Sequence, residues 1–238
     1  MQIRDTVPPS ATGRRRGTVS LEAARCRRKF LNIFPRGFSD PKYLAWERQY
    51  KWNAHEQWER DLNRNEFSRL LEYGKFSEIA GSAVRIESRT NLLFSFEKMA
   101  LRDAVKSTSG AEAFSRGLYD FLHGRGNLQS RFEAWINVVR ELPRKQTRVL
   151  TWPLVTVFGF IARPDQHIFL KPKVTREAAA EYGFNFEYHT APGWNTYSSL
   201  IQFGEKIKLD VGDLHPRDWM DIQSFIWVMG SDEYAEPK

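Results

Sequence analysis

The chain has 238 residues, of which 41% are hydrophobic and 27% charged, so it is long enough to bury a large core. Its formal net charge of +7 favours polyanion partners such as nucleic acid. A single cysteine excludes an intramolecular disulfide and fits a reducing cytoplasm, and no apolar run approaches the ~20 residues that span a bilayer.

Positive charge is concentrated near the N-terminus. Eight basic residues lie in the first 29 positions: Arg4, Arg14, Arg15, Arg16, Arg25, Arg27, Arg28 and Lys29. We predict a disordered basic arm over residues 1–18, because this segment is rich in arginine and contains two adjacent prolines. A single helical domain is predicted over residues 19–230, followed by an acidic tail over 231–238.

Cap residues and apolar spacing predict two helices at the start of the domain. The first is expected between Ser20 and about Phe34. The second begins after Asp40, with Pro41 in its first turn, and ends near Asn63. Six residues of the second helix recur at three- and four-residue steps and are predicted to face the core: Tyr43, Trp46, Tyr50, Ala54, Trp58 and Leu62. Trp52 lies on the opposite face, where it either meets another element or is exposed.

Five more helices are predicted before residue 142, from caps, glycine stops and apolar seams. Their expected bounds are 65–73, 76–86, 90–105, 111–123 and 128–142. Asn65 is the predicted cap of the first of them, and Thr90 or Asn91 caps the third. Ser109 and Gly110 are expected to break the chain before the fourth.

The most apolar segment, residues 154–162, lies in a central stretch from 142 to 186. Thr151 is predicted to cap a helix that ends before Pro164, and Thr175 a second helix that Gly183 stops. Further helices are expected at 195–209 and 216–230, and short extended segments near 167–171 and 184–189. The predicted fold class is therefore mainly α, a compact multi-helix domain.

The sequence lacks a Gly-rich phosphate loop, a His-Glu-x-x-His zinc helix and a Cys-x-x-Cys pair, so no metal or cofactor is predicted. His55 and Glu59 are one helical turn apart, but two ligands do not make a metal site, and surface polarity is the simpler interpretation. The remaining candidates for chemistry are three carboxylates, Glu97, Asp165 and Asp221. A partly buried carboxylate can act as an acid, although a pair of Glu97 with Arg102 or Arg89 is the simpler interpretation.

Basic and aromatic residues follow the apolar segment. Lys171, Lys173 and Arg176 precede Trp194 and Tyr197, which lie at a turn-to-helix boundary. Rings beside cations stack bases while the cations hold phosphates, so these five residues are the predicted nucleic-acid contacts. Packing of Trp194 in the core is the alternative.

The central stretch resembles the helix-hairpin-helix DNA glycosylases over about 45 residues. Leu142-Pro143 is similar to the hairpin entry, and residues 154–162 to the apolar helix that follows it. Residues 169–176 resemble the family's extended run, and 182–184 its closing Leu-Gly-Leu. The resemblance implies a helical fold, a DNA partner and a role in DNA repair or defence.

The stretch departs from that family at its catalytic positions. The Gly-x-Gly of the hairpin is replaced by residues 144–152, and Lys171 occupies the place of the catalytic aspartate. A lysine there would repel the positive charge that develops at the sugar. The first hypothesis is therefore a DNA-binding protein without glycosylase chemistry. The alternatives are a non-enzymatic protein-interaction module of the cytoplasm, or an enzyme of unknown reaction.

Overall fold

The computed structural model describes residues 19–144 and 149–234. The predicted basic arm, residues 145–148 of the predicted hairpin and the last four residues of the predicted acidic tail lie outside the described residues. Helices account for most of the described chain, and no β-strand occurs in it. The mainly α fold class is confirmed. The predicted extended segments at 167–171 and 184–189 are non-helical, and they do not pair as strands.

Eleven helices occur in the described ranges. Helix α2 is continuous but changes its geometry twice, and we number it as one helix with three parts. The bounds are α1 Leu21–Ile33, α2 Pro41–Tyr43 with Leu44–Arg48 and Gln49–Asp61, α3 Arg64–Glu72, α4 Phe76–Ser88, α5 Ser95–Ala104, α6 Thr108–His123, α7 Leu128–Glu141, α8 Trp152–Ala162, α9 Pro172–Glu181, α10 Trp194–Asp210 and α11 Trp219–Gly230.

Three predicted caps are confirmed. Ser20 accepts a hydrogen bond from the amide of Ala23 at the start of α1, and Asp40 accepts one from the amide of Lys42 at the start of α2. Thr151 accepts one from the amide of Leu154 at the start of α8. Each bond satisfies an amide that has no partner within its helix, which fixes the residue at which the helix begins.

Several predicted helix starts are wrong by two to five residues. Asn63, rather than Asn65, caps α3, because its side chain accepts from the amides of residues 65 and 66. Helix α5 begins at Ser95 instead of following Thr90 or Asn91. Ser107 caps α6, so Ser109 and Gly110 lie in its first turn and do not break the chain.

Two later helices also begin elsewhere than predicted. Helix α9 begins at Pro172, three residues before the predicted cap Thr175, because proline fits the first helical position. Helix α11 begins at Trp219, not at Pro216, because Asp218 accepts from the amides of the next turn.

The predicted core stripe of α2 is partly wrong. Residues Leu44–Arg48 form a π-helical turn, which adds a residue to the turn and rotates the faces of the helix. Trp46 is therefore 56% exposed, while Glu47 and Lys51 are buried in its place. Trp52 is half-buried.

Helix α8 forms the centre of the core. All of its residues from Trp152 to Ala162 are buried, and α2, α4, α6 and α7 pack around it. A second centre is α11, which packs against α1, α9, α10 and the π-helical turn of α2. Helices α9 and α11 cross at Gly230, where an added Cβ would lie 2.0 Å from the carbonyl oxygen of Val174.

The described chain continues past α11 in a short 3₁₀ turn, Asp232–Tyr234. The Tyr234 hydroxyl donates to Glu47 at 2.6 Å, so the first residues of the predicted acidic tail contact the helical core. Among the described residues, no helix combines the length and apolarity that crossing a membrane requires.

Candidate nucleic-acid interface

Lys171, the first of the predicted phosphate contacts, is buried. Its Nζ donates to the carbonyl oxygen of Leu92 at 2.8 Å and lies 3.5 Å from the centre of the Phe94 ring. Burial lowers the pKa of Lys171, while the charges of Glu97 and Glu87 oppose that shift. The ammonium is thus held inside the fold and is not presented to a polyanion.

Lys173 and Arg176 lie on the exposed side of α9. Lys173 pairs with Asp232 at 2.8 Å, and this hydrogen bond raises the pKa of the lysine. The Arg176 guanidinium lies 5.2 Å from the centre of the Tyr188 ring. Among the described residues, Lys173 therefore has an acidic partner, whereas Arg176 has an aromatic one.

The two residues predicted to stack on bases, Tyr197 and Trp194, differ in their exposure to solvent. Tyr197 is fully buried, and its ring stacks on Phe132 with centroids 4.1 Å apart. Trp194 is half-buried and meets the edges of Phe132 and Tyr197. Tyr197 therefore has no free face for a base in this structure, and Trp194 keeps part of its surface.

Two of the three candidate catalytic acids are held by other groups. Asp165 is exposed and pairs with Arg163 at 3.2 Å. Partial burial would raise the pKa of Asp165, but the hydrogen bonds and charge of Arg163 outweigh it and lower that pKa. Glu97 is buried and accepts from the amide of Phe94 and from the Thr151 hydroxyl, while Arg89 donates to Gln57. The expected pairing of Glu97 with Arg89 or Arg102 is therefore replaced by these contacts.

Asp221 is the third candidate acid and lies at the centre of a buried ionic network between α2 and α11. It accepts hydrogen bonds from the Tyr43 hydroxyl at 2.6 Å and from Arg48 at 2.8 Å. Arg217 adds its backbone amide and its guanidinium. Both carboxylate oxygens are thus occupied by donors of the chain, which is the arrangement of a structural ion pair.

The histidines do not form a metal centre. His55 Nδ1 lies 2.9 Å from the carbonyl oxygen of Ile161, and His189 lies beside Glu187 at 3.4 Å. His167 is fully buried against Phe121. No group of three or more His, Cys, Asp or Glu within the described ranges is arranged to hold a metal ion.

A basic groove of about 470 Å³ lies where α7 ends and α8 approaches. Arg140, Arg144 and Pro192 line this groove. Leu142, Val149 and Leu150 also line it, and none of the described residues that line it is acidic. Two guanidiniums beside apolar side chains can hold a phosphate and cover a sugar or base at the same time.

Segment 188–194 borders this groove at Pro192. The Trp152 indole donates to the carbonyl oxygen of His189 at 2.8 Å, and the His189 amide donates to Thr196. Trp194 follows Pro192 by two residues, and the pair of Tyr188 with Arg176 lies at the other end of the segment. The partly accessible rings of Tyr188 and Trp194 thus lie in the chain segment that contributes Pro192 to the groove.

Sequence reasoning missed Arg140 and Arg144. Arg140 lies near the end of the predicted helix 128–142 and Arg144 in the segment that replaces the hairpin glycines, and nothing in their spacing distinguishes them from solvated surface arginines. The available signal was the run of basic residues at positions 140, 144, 145 and 148, which surrounds the predicted hairpin.

Comparisons of the chain with protein-family models, with curated proteins and with solved structures gave no match.

Proposed function

We propose that this chain is a nucleic-acid-binding protein that holds single-stranded DNA in the groove beside Arg140 and Arg144. The composition of the groove carries the proposal: two guanidiniums and apolar side chains, with no acid among the described lining residues. An acidic lining residue would repel a phosphate, whereas paired arginines hold phosphate oxygens with charge-assisted hydrogen bonds.

A single strand can place an unpaired nucleotide in this groove. The volume of about 470 Å³ is that of a site for a nucleotide-sized ligand. Unpaired bases also expose their faces, and Trp194 beyond Pro192 keeps part of its ring accessible. Trp194 and Arg176 are thus the two predicted contacts that support the proposal.

The distribution of charge supports the same partner. Residues 1–18 carry three of the seven net positive charges of the chain, and residues 145–148 carry two more. The described residues are therefore close to neutral, and the groove is a local basic feature on them. The basic arm is expected to add salt-sensitive affinity that does not depend on the groove.

The resemblance to helix-hairpin-helix DNA glycosylases remains a hypothesis about the scaffold. The proposal does not include glycosylase chemistry, since Lys171 occupies the position of the catalytic aspartate and donates to Leu92. A role in DNA repair or defence belongs to the same hypothesis.

An exposed apolar surface favours a second function, docking of a protein partner. Phe94, Phe96 and Met99 are each about half exposed or more, and the two phenylalanine rings stack 5.6 Å apart. Adjacent exposed apolar side chains of this size mark contact surfaces in many proteins. Stable co-purification with one protein, lost in Phe96→Ser, would support this function.

The nucleic-acid proposal is tested by fluorescence anisotropy with a labelled single-stranded oligonucleotide. We expect Arg140→Met/Arg144→Met to weaken binding by the full chain at every salt concentration. The slope of log K against log salt should fall by about 0.7 for each phosphate contact that is lost. Arg116→Met is the matched control, because Arg116 is exposed and paired with Glu112 on α6.

A separate variant distinguishes the groove from the arm. Replacement of Arg14, Arg15 and Arg16 by serine should lower affinity and salt dependence but leave the effect of the groove substitutions intact. Equal affinity and equal slope for the wild type and the Arg140→Met/Arg144→Met variant would refute the proposed groove.

A further inference from the structure

Three buried nitrogens near the turn between α6 and α7 have no hydrogen-bond partner among the described residues. They are His123 Nε2, Arg131 Nε and His167 Nε2, and they make up three of the four such side-chain atoms in the described chain. An unpaired buried donor costs about 1–3 kcal/mol, so a local concentration of them calls for a ligand.

Two of the three side chains contact Phe121. Arg131 donates through Nη1 to the carbonyl oxygen of Phe121 at 2.7 Å, near the end of α6. The His167 ring lies 4.5 Å from the Phe121 ring. Gly159 leaves space for both rings, because an added Cβ would lie 2.9 Å from each of them. The His123 ring lies 5.2 Å from the ring of Tyr119 on the same helix.

His167 Nδ1 lies 3.4 Å from the Tyr197 phenol oxygen, and which of the two donates depends on the tautomer of the ring. When Nδ1 accepts, the ring hydrogen of the neutral imidazole is on Nε2, which is then a donor without an acceptor. Arg131 Nε is a donor in either case.

The surroundings of the two histidines carry positive charge. Burial, together with the charges of Arg131 and Arg163, lowers the pKa of His167 to about 3 and that of His123 to about 4. Arg64 also acts on His123. One nearby carboxylate, Asp165, opposes this field at His167, and it is paired with Arg163.

We propose that His123, Arg131 and His167 form a binding site for a phosphate-type oxyanion. Such a group presents several acceptor oxygens at once and so can satisfy donors on α6, on α7 and before α9. Its negative charge also compensates the guanidiniums, which a water molecule in the same place would not do. Arg131 and His123 are partly buried as residues, while their unpaired nitrogens are buried.

This site is independent of the groove proposed for DNA. Arg131 lies in the first turn of α7, whereas Arg140 lies in its last turn, about 13 Å away at 1.5 Å per residue. Either site can therefore be absent without affecting the other, and variants at one serve as controls for the other.

The test uses inorganic phosphate as the probe and the full chain as the protein. Phosphate is titrated at constant ionic strength, with sodium chloride making up the difference, and the melting temperature and the histidine ring nitrogen resonances are recorded. We expect a saturable rise in melting temperature, and bound phosphate should raise the pKa of both histidines by stabilising their imidazolium forms. Arg131→Met should weaken phosphate binding at least tenfold, while Arg125→Met in the adjacent exposed turn should not.

Two outcomes would overturn the site. One is a response to phosphate that sodium chloride reproduces, which would mean that the effect is one of salt and not of phosphate binding. The other is a saturable response that Arg131→Met leaves unchanged. Arg131 also holds the carbonyl of Phe121, so if that variant fails to fold, the resonances of His123 and His167 in the wild type decide the question alone.

Oligonucleotides identify the source of the anion once phosphate binds. If the site takes a terminal phosphate of nucleic acid, a 5′-phosphorylated oligonucleotide will compete with inorganic phosphate, and the same oligonucleotide without the phosphate will not. If the site takes a free anion, neither oligonucleotide will compete. Both results support the site and differ only in the origin of its ligand.

Discussion

Replacement of Asp221 by alanine is the strongest test of how the helices of this fold are held together. Asp221 is fully buried in α11 and accepts from the Tyr43 hydroxyl and Arg48 of α2 and from the backbone and guanidinium of Arg217. The variant removes the acceptor for all of these donors. Arg48 keeps a second carboxylate, Asp218, at 2.7 Å, but the buried Tyr43 hydroxyl loses the carboxylate to which it donates.

The expected loss can be worked from these contacts. A hydrogen bond to a charged group contributes about 1.5–3 kcal/mol, but the contributions around one carboxylate are not additive. Arg217 is 41% exposed in its side chain and can regain water, and Arg48 retains Asp218. We therefore expect Asp221→Ala to cost about 3–5 kcal/mol, the range for removing one partner of a buried ion pair.

The assay is equilibrium unfolding in urea, followed by tryptophan fluorescence and by circular dichroism. Asp213→Ala is the matched control, because Asp213 forms a largely exposed pair with Arg27 and should contribute only about 0–1 kcal/mol. If Asp221→Ala loses no more stability than Asp213→Ala, then the network is not a structural ion pair. Asp221 would in that case return to the set of candidate catalytic acids.

Three further predictions concern stability. The pKa of His167 is lowered to about 3 from ~6.5 in the unfolded chain, so unfolding takes up a proton below pH 6.5. The free energy of unfolding should therefore fall by up to ~1.4 kcal/mol per pH unit between about pH 6 and 3. Urea titrations of His167→Phe at the same pH values should lack this component. Gly159→Ala should cost about 1–3 kcal/mol by crowding His167, whereas Gly81→Ala, with open space around its Cβ, should stabilise α4 by about 0.5–1 kcal/mol in the same assay. Lys171→Met should lower the free energy of unfolding by about 1–3 kcal/mol, because the Leu92 carbonyl loses its donor. Lys173→Met should leave the unfolding midpoint nearly unchanged. Equal effects of the two substitutions would show that Lys171 is not held inside the fold.

The parts of the fold that sequence reasoning predicted are those that local chemistry determines. Ser20, Asp40 and Thr151 cap their helices as expected, because a side-chain oxygen one residue before the first turn satisfies an amide wherever the helix packs. The burial of α8 follows from its composition alone, since a helix that is apolar on every face has no side suited to water. The mainly α class depends on these local features.

The parts of the fold that sequence reasoning missed depend on contacts between residues that are distant in the chain. The π-helical turn Leu44–Arg48 shifts the buried face of α2, so that Glu47 and Lys51 enter the core and Trp46 leaves it. No local pattern predicts this, because buried Lys51 is stabilised by Ser224 on α11, 173 positions later. The burial of Lys171 likewise depends on the carbonyl of Leu92, 79 positions earlier.

Contacts between residues distant in the chain also decide which basic residues are free to attract a polyanion. Four basic residues lie on α1, but Arg25 pairs with Glu181 and Arg27 with Asp213, so two of the four are neutralised by acids from α9 and from the turn after α10. The groove beside Arg140 and Arg144 has no such acid among its described lining residues. A polyanion responds to local charge within about a Debye length of 8–10 Å, and not to the sum over the chain. The groove is therefore a better candidate for the nucleic-acid contact than α1, although α1 has the higher density of basic residues in the sequence.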